Sequence, residues 1–357
     1  MSGQRPNSKK RKSTADGQHY ISRDGQDTSR PSAVYRPTKG RGHTVSVALP
    51  GSVIANAVTH DQKTALAGHI ARACAVFCVD EIVVFDDGHA DTRAPERGGY
   101  TAFADPSFFL YHVLSYLETP PHLRKALFPM HPDLRTAGAL PSLDMPHHMR
   151  SEDDCEYREG ITTRSAQRKD GAPGMLVECG LRQQVFVPVE LEENVRLTVQ
   201  LPQHARSSAK DMVECNVVAP DAPREQAGYY WGYSVRQASS LSNVFTECPH
   251  DGGYDASIGT SERGHPVSSL ADRASDRSLE PTWQHLLVVF GGVAGLEVAL
   301  ANDPELQAAG VHDASEVFDY WINLVPGQGS RTIRTEEAVW VGLACLSPLV
   351  EARNTNA

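Results

Sequence analysis

Three short segments in the C-terminal third of the chain set glycines at the ends of apolar runs. They are Ile258-Gly259-Thr260-Ser261-Glu262-Arg263-Gly264, Phe290-Gly291-Gly292 and Val325-Pro326-Gly327-Gln328-Gly329-Ser330. Glycine at such a place lets a ligand approach the backbone without meeting a Cβ, and it leaves N–H and C=O groups free to bond that ligand. Open α/β sheets bind ligands in the crevice at the carboxyl ends of their strands. One such loop would say little, but three together point to a nucleotide-like ligand. Gly327-x-Gly329 continues as Ser330-Arg331-Thr332, so the G-x-G-x-x-G dinucleotide fingerprint is incomplete. There is no G-x4-G-K-[ST] phosphate loop, no G-x-S-x-G elbow, and no Cys/His pair that stands out among the fifteen histidines. NAD, ATP and hydrolytic chemistry are therefore disfavoured.

The elements that must position these loops follow an α/β pattern. Thr44–Leu49 is a β-branched strand closed by Pro50-Gly51, and a helix follows from Asp61 to Phe77 with Leu66, Ile70, Ala73 and Phe77 on its buried stripe. Glu81–Phe85 is an apolar strand ending in Asp86-Asp87-Gly88, which caps the strand end more readily than it supplies a base. Strand, helix and buried strand in that order signal a parallel sheet. A further helix starts at Pro106 after Asp105 and runs to Leu117, where Pro120-Pro121 halts it. The Pro-rich stretch 128–146 reads as irregular. Between residues 153 and 225 short alternating runs, such as Met175–Cys179, Gln184–Val187 and Val195–Val199, suggest a small β-barrel, with an OB-like fold as one candidate. The α/β pattern resumes with a strand over Tyr230–Val235 and a short helix over Ala238–Phe245. Strands at Leu286–Phe290 and Trp321–Val325 follow, then a last helix from Thr335 to Leu346 that buries Ala338, Val341, Leu343 and Leu346.

Charge is divided unevenly. Residues 1–42 hold ten Lys/Arg against three Asp, so a chain of net charge −10 consists of a +7 tail and a body of −17. The tail has almost no aliphatics to bury and reads as disordered; its Lys9-Lys10-Arg11-Lys12 run suits nuclear import or phosphate contact. An acidic body argues against indiscriminate nucleic-acid binding. No apolar leader is visible at the N-terminus, and seven cysteines fit a reduced nucleocytoplasmic setting. Cys74-x3-Cys78 lacks zinc-knuckle spacing, so the two are read as buried residues on one helix face, and no metal is expected. The longest apolar run, Leu286–Leu296, is eleven residues and too short for a bilayer, so no membrane role is expected.

Several of these segments are also specific as strings. GYYWGYSVR (228–236), ASSLS (238–242), Gly253-Tyr254-Asp255 and IGTSERG (258–264), followed by VFGG (289–292), GLE (295–297) and PGQGSRTIRTEE (326–337), resemble a nuclear and archaeal family of SPOUT-type methyltransferases with an inserted domain. VALPGSVIAN (47–56), residues 66–79 and residues 80–86 extend the resemblance to nearly everything from residue 43 onward.

The resemblance implies a SPOUT trefoil-knot unit of α/β class, with an inserted small β-barrel (OB-like) domain and a disordered basic N-terminal tail. The domain boundaries would be 1–42 for the tail, 43–152 and 228–357 for the two parts of the methyltransferase domain, and 153–227 for the insert. It implies S-adenosyl-L-methionine (SAM) as cofactor, held by Gly259, Thr260 and Arg263, by Gly291 and Gly292, and by Asn323, Val325, Gly327, Gln328, Gly329, Ile333 and Thr335. Knot loops usually pair two such units as a homodimer. The implied reaction is methylation of an RNA base nitrogen, N3 of a uridine in large-subunit rRNA. Arg263 and Arg236 would stabilise the base as it loses its N3 proton, and Asn56 would hold the base edge. RNA contact beyond the site would fall to Arg135, to His147–Arg150, to the insert or to the tail. The location implied is the nucleus, the nucleolus within it, with the cytoplasm as alternative. The competing readings are a SPOUT-fold RNA-binding or assembly scaffold without turnover, and a Rossmann-type enzyme using another nucleotide.

Overall fold

The computed structural model describes residues 37, 39–89, 95, 98–168, 170–202, 212–272 and 274–356. Most of the expected tail, including Lys9–Lys12, lies outside them. Arg41, counted with that tail, belongs to the folded body. Its guanidinium makes a bidentate pair with Asp80 at 2.6 and 2.9 Å, and its backbone N–H donates to the Arg224 carbonyl.

The first half of the α/β unit follows the expected order. Strand β1 (Thr44–Pro50) turns through a 3-10 segment, Gly51–Asn56, into helix α1 (His60–Val76), which starts on a Thr59/Gln62 capping box. Buried Lys63 on α1 fixes that turn by donating to the Ile54 carbonyl at 2.8 Å. Cys78 lies beyond the helix end at φ +54°, so it does not share a helix face with Cys74. Strand β2 (Glu81–Phe85) is buried throughout, and α2 (Pro106–Glu118) has Asp105 as its N-cap. Pro121 does not simply halt the chain: as an N1 proline it opens a further short helix, α3 (Pro121–Leu127).

A second sheet comes next: β3 (Tyr157–Gln167), β4 (Pro173–Glu178), β5 (Gln184–Val187), β6 (Arg196–Gln200), β7 (Met212–Glu214) and β8 (Asn216–Val218). Its strands lie in the order β7-β5-β4-β3-β6-β8, antiparallel except for β5 with β7. The two edge strands, β7 and β8, are separated in the chain only by Cys215. At about 3.3 Å per residue one residue cannot span a flat six-stranded sheet, so the sheet is rolled until its edges meet. Met175, Val177, Val185, Val187, Val199 and Val213 fill its interior as an apolar cluster of their own.

The chain returns through α4 (Ala222–Ala227), β9 (Ser234–Ala238), α5 (Leu241–Thr246), β10 (Ala256–Pro266), β11 (His285–Val289), α6 (Gly295–Ala301), α7 (Pro304–Ala308), β12 (Tyr320–Asn323) and α8 (Thr335–Asn356). The first sheet has the order β12-β10-β11-β1-β2-β9, and every pairing in it is parallel. Parallel strands need crossovers that cover both faces. Val45, Val47, Leu49, Ile82, Val84 and Val288 face α1, α2 and α8, while Ala48, Val83, Phe85, Leu287 and Val289 face α5 and α6.

Three expectations change here. The strand placed at Tyr230–Val235 begins at Ser234, because Trp231 and Tyr233 are bonded to Glu159 and to the Leu114 carbonyl and precede the ladder. Ile258–Gly264 lies within a strand and is not a free loop. The last helix continues through Pro348 to Asn356 and buries Val339, while Ala338 and Val341 are only half-buried. No helix among the described residues is long and apolar enough to cross a membrane.

Candidate functional site

Strand order reverses direction between β1 and β11, and at such a switch point the loops leaving neighbouring strands part to open a crevice. A cavity of about 470 Å³ lies at the carboxyl end of the sheet on the β11 side of that point, over β10, β11 and β12. Its walls are the three glycine-bearing segments: residues 260–263 from β10, residues 290–297 after β11, and residues 323–335 between β12 and α8.

Each wall has a local cause. β10 pairs with β12 at Thr260 and again from His265, with both Thr260 and His265 opposite Ile322, so residues 261–264 bulge out of the ladder. Gly264 is required there, since a Cβ would collide with the Ile322 backbone. The bulge carries Arg263 to the cavity, where its side chain is 73% exposed and makes one long contact, 3.5 Å, with Glu297. After β11 the chain makes a tight turn closed by the Gly295 N–H to the Gly292 carbonyl at 3.1 Å, with Gly295 at φ +77°. Side chains then tie the segments together. Thr260 Oγ1 donates to the Val289 carbonyl, Asn323 Nδ2 to the Glu262 carbonyl and Thr335 Oγ1 to the Gly291 carbonyl, each at 2.9 Å. Asn323 Oδ1 also accepts the Val325 N–H at 2.9 Å and so shapes the start of the last loop.

Among the residues expected to hold the cofactor, Thr260, Arg263, Gly291, Gly292, Asn323, Val325, Gln328, Ile333 and Thr335 line the cavity. Gly259, Gly327 and Gly329 do not. Gly259 is a packing glycine under Phe318 and Trp321, which occupy the place of a side chain. Gly327 instead serves the turn closed by Gln328 N–H to the Val325 carbonyl, at φ +77°, and a Cβ on Gly329 would meet nothing within 4 Å.

Two of the expected catalytic residues are elsewhere. Arg236 sits on β9, four strands from β10, or about 19 Å at the usual strand spacing. Its Nε donates to Glu81 at 3.0 Å, and its Nη2 donates to the Val244 carbonyl and to the Tyr254 hydroxyl. Burial alone would lower the Arg236 pKa, but the Glu81 carboxylate outweighs it and raises the pKa, as expected of a structural ion pair. Asn56 is exposed at the end of the 3-10 turn after β1 and does not line the cavity. The polar contact beside the cavity comes from other residues. Ser52 donates to Asp87 Oδ2 at 2.5 Å, and both lie within 3.3 Å of where a Gly292 Cβ would stand.

Sequence reading missed Glu297, Leu324 and Arg331 as wall residues, although GLE and the run before PGQG were visible as strings. One metal-capable group occurs among the described residues. His112, His131 and Asp133 bring donor atoms within 4.8 Å of one another, but none of the three lines the cavity. Asp133 there also accepts from the Thr101 N–H and hydroxyl.

Residues 44–346 match a family described as putative RNA methyltransferase. A human 28S rRNA (uridine-N(3))-methyltransferase is 47% identical over 324 residues, which is 90% of this chain and 82% of that protein. An uncharacterized protein of the archaeon Haloarcula marismortui is 32% identical over 85% of this chain and 99% of its own length. Among solved structures, a SpoU methyltransferase from Streptomyces viridochromogenes in complex with AdoMet aligns over 88% of this chain and 59% of its own, at 11% identity and a TM-score of 0.28, too distant to bear on the fold.

Proposed function

The chain belongs to this RNA methyltransferase family, and from that premise we propose that it methylates N3 of a uridine in large-subunit rRNA with SAM as donor. The observation that carries the reading is the convergence of three separate glycine-bearing segments on one cavity, in a chain 47% identical to a 28S rRNA (uridine-N(3))-methyltransferase.

The residues present fit SAM. A volume of about 470 Å³ lies within the range of small-molecule sites, roughly 300–1,000 Å³. A Cβ on Gly291 would stand 3.0 Å from the Gly295 backbone, so glycine there lets the turn after β11 close tightly on itself. When bound, SAM supplies a methyl group on a positively charged sulfur. The protein's work is then to position the reactants and stabilise the charge that develops. Backbone groups of residues 325–333 would hold the adenine. Thr335 keeps the Gly291 carbonyl in line, and Ile333 provides apolar cover. Arg263, tied only by its long contact to Glu297, is free to face the negative charge left on a base that has lost its N3 proton.

The C-terminal path suits the knotted arrangement of SPOUT proteins: the 324–334 loop passes the β11 turn before α8 packs beside α1. The rolled second sheet fits an inserted OB-like barrel, residues 153–227, between the two parts of the methyltransferase domain, and it offers a surface for RNA. A homodimer through residues 229–350 and a nuclear or nucleolar location complete the proposal.

Nucleoside mass spectrometry of rRNA from cells with and without the protein tests it. Loss of an N3-methyluridine from the large subunit, restored by the wild-type chain but not by a SAM-binding variant, is expected. Unchanged rRNA from cells lacking a protein that still binds RNA would favour a scaffold.

A further inference from the structure

A second cavity, of about 530 Å³, abuts the first and shares Arg263 and Glu297 with it. We propose that the acceptor uracil occupies this second cavity, stacked on Trp321, with Arg263 flanking the point where base and methyl donor meet. The proposal rests on reading the first cavity as the SAM site.

Methyl transfer requires donor and acceptor to meet, so the acceptor must enter from a space that opens onto the donor's. A larger cavity of about 1,060 Å³, which includes Thr44, Glu81 and Arg224, shares no lining residue with the first. Nor does a smaller one that includes Val45, Phe77 and Leu346. The wall between the two adjoining cavities is thin. The lining residues shared by both are Arg263 and Glu297, 73% and 43% exposed and joined by one contact at 3.5 Å.

The second cavity has the surface of a base site. Trp321 lies on β12 with its indole over Gly259 and stacked on Phe318, ring centroids 5.8 Å apart at 19°. That packing fixes the ring as a shelf, and glycine at 259 is what makes room for it. Base–aromatic stacking requires a fixed π face, and Trp321 is half-buried and lines the cavity. The charges in the cavity choose among nucleic-acid groups. Arg263 is opposed by Glu297 and Asp313, so a phosphate is disfavoured while an uncharged heterocycle is tolerated. In the reaction the N3 proton passes to water, and the electron pair left on N3 forms the N–C bond. The C–S bonding pair returns to sulfur, leaving a neutral thioether.

Two variants separate stacking from packing. Trp321→Leu keeps apolar bulk against Gly259 and removes the extended π face, whereas Trp321→Phe keeps an aromatic face. SAM affinity is measured by calorimetry, and methyl transfer is measured on an rRNA fragment containing the target uridine. Both variants should bind SAM within about twofold of wild type. In Trp321→Leu, kcat/KM for RNA should fall by about 5- to 150-fold, the usual worth of one stacked base, and Trp321→Phe should recover most of it. Full transfer by Trp321→Leu, or an equal loss in both variants, overturns the acceptor site and leaves the SAM reading intact. A wild-type protein that binds no SAM overturns both.

Discussion

Replacing Gly291 with alanine tests whether the turn after β11 is the wall of the cofactor site. The new Cβ would stand 3.0 Å from both the Cα and the carbonyl carbon of Gly295, and 3.1 Å from the Leu296 nitrogen. Carbon atoms prefer about 3.5–4.0 Å, so something must retreat by roughly half an ångström. The obstructing atoms are backbone, held by the Gly295–Gly292 hydrogen bond and by buried Leu296 at the start of α6, so they cannot swing away as a side chain tip would. Overpacking of this kind costs about 1–3 kcal/mol. Gly291 is not among the glycines at positive φ, so alanine adds no backbone strain of its own. If SAM needs the undistorted wall, the same cost appears in binding, and Kd rises by about 5- to 150-fold. Calorimetric titration with SAM, alongside a thermal melt to confirm folding, measures it. Gly329→Ala is the control: its Cβ meets nothing within 4 Å, and affinity should hold. A folded Gly291→Ala protein with unchanged Kd would remove the turn from the cofactor site.

Thr335→Val deletes the bond to the Gly291 carbonyl while keeping shape; an unsatisfied buried group costs about 1–3 kcal/mol, so SAM affinity and melting temperature should drop together, and no change in either would contradict the tie. Burial alone would raise the Glu118 pKa, but Arg196 and His147 pull it down from 4.5 to about 2. A depressed carboxylate stabilises the fold fully above pH 4.5 and loses that contribution as pH falls towards 2, here about 3 kcal/mol. Urea melts of Glu118→Gln should therefore show lower stability at neutral pH and a flatter decline over that window. Deleting residues 1–36, which hold eight Lys/Arg against three Asp, should leave SAM affinity intact while weakening binding to long RNA and flattening its salt dependence; lost SAM binding would mean that the tail folds onto the catalytic unit. Sedimentation at micromolar concentration should give a dimer, and a monomer would refute pairing through residues 229–350.

What sequence reading found and missed has physical reasons. Glu81–Phe85 and His285–Val289 were legible because strands covered on both faces become continuous apolar runs. Gly291 marked a strand end because a side chain there would press on the Gly295 backbone, whereas at Gly327 and Gly329 a Cβ would meet nothing within 4 Å. β10 was obscured by that same logic: Gly259 and Gly264 read as loop residues, yet Phe318, Trp321 and the Ile322 backbone fill the spaces where side chains would be. β9 was displaced because Tyr230, Trp231 and Tyr233 imitate a strand while serving contacts beside the ladder. The pairing of Arg236 with Glu81 was not legible, since the two lie 155 residues apart and no local pattern announces a distant ion pair.

The acidic body, which first weighed against an RNA substrate, instead restricts the direction of approach. Asp80, Glu81, Glu118, Glu159 and Asp221 all line the large cavity at the amino end of the parallel sheet. Four of them are engaged: Asp80 with Arg41, Glu81 with Arg236, and Glu118 and Glu159 with Arg196. Those pairs leave no surplus of positive charge there to attract phosphates. At the carboxyl end, residues 323–335 contribute Arg331 to the wall beside Arg263 and carry Arg334 three residues further on. On the proposed function, this contrast favours approach of RNA from the end where the glycine segments meet. Phosphates can stay outside, near these arginines, while one uncharged base crosses into a cavity whose carboxylates would reject the phosphate behind it. Affinity and selectivity then reside in different residues, so salt should weaken the first and leave the choice of uridine unchanged.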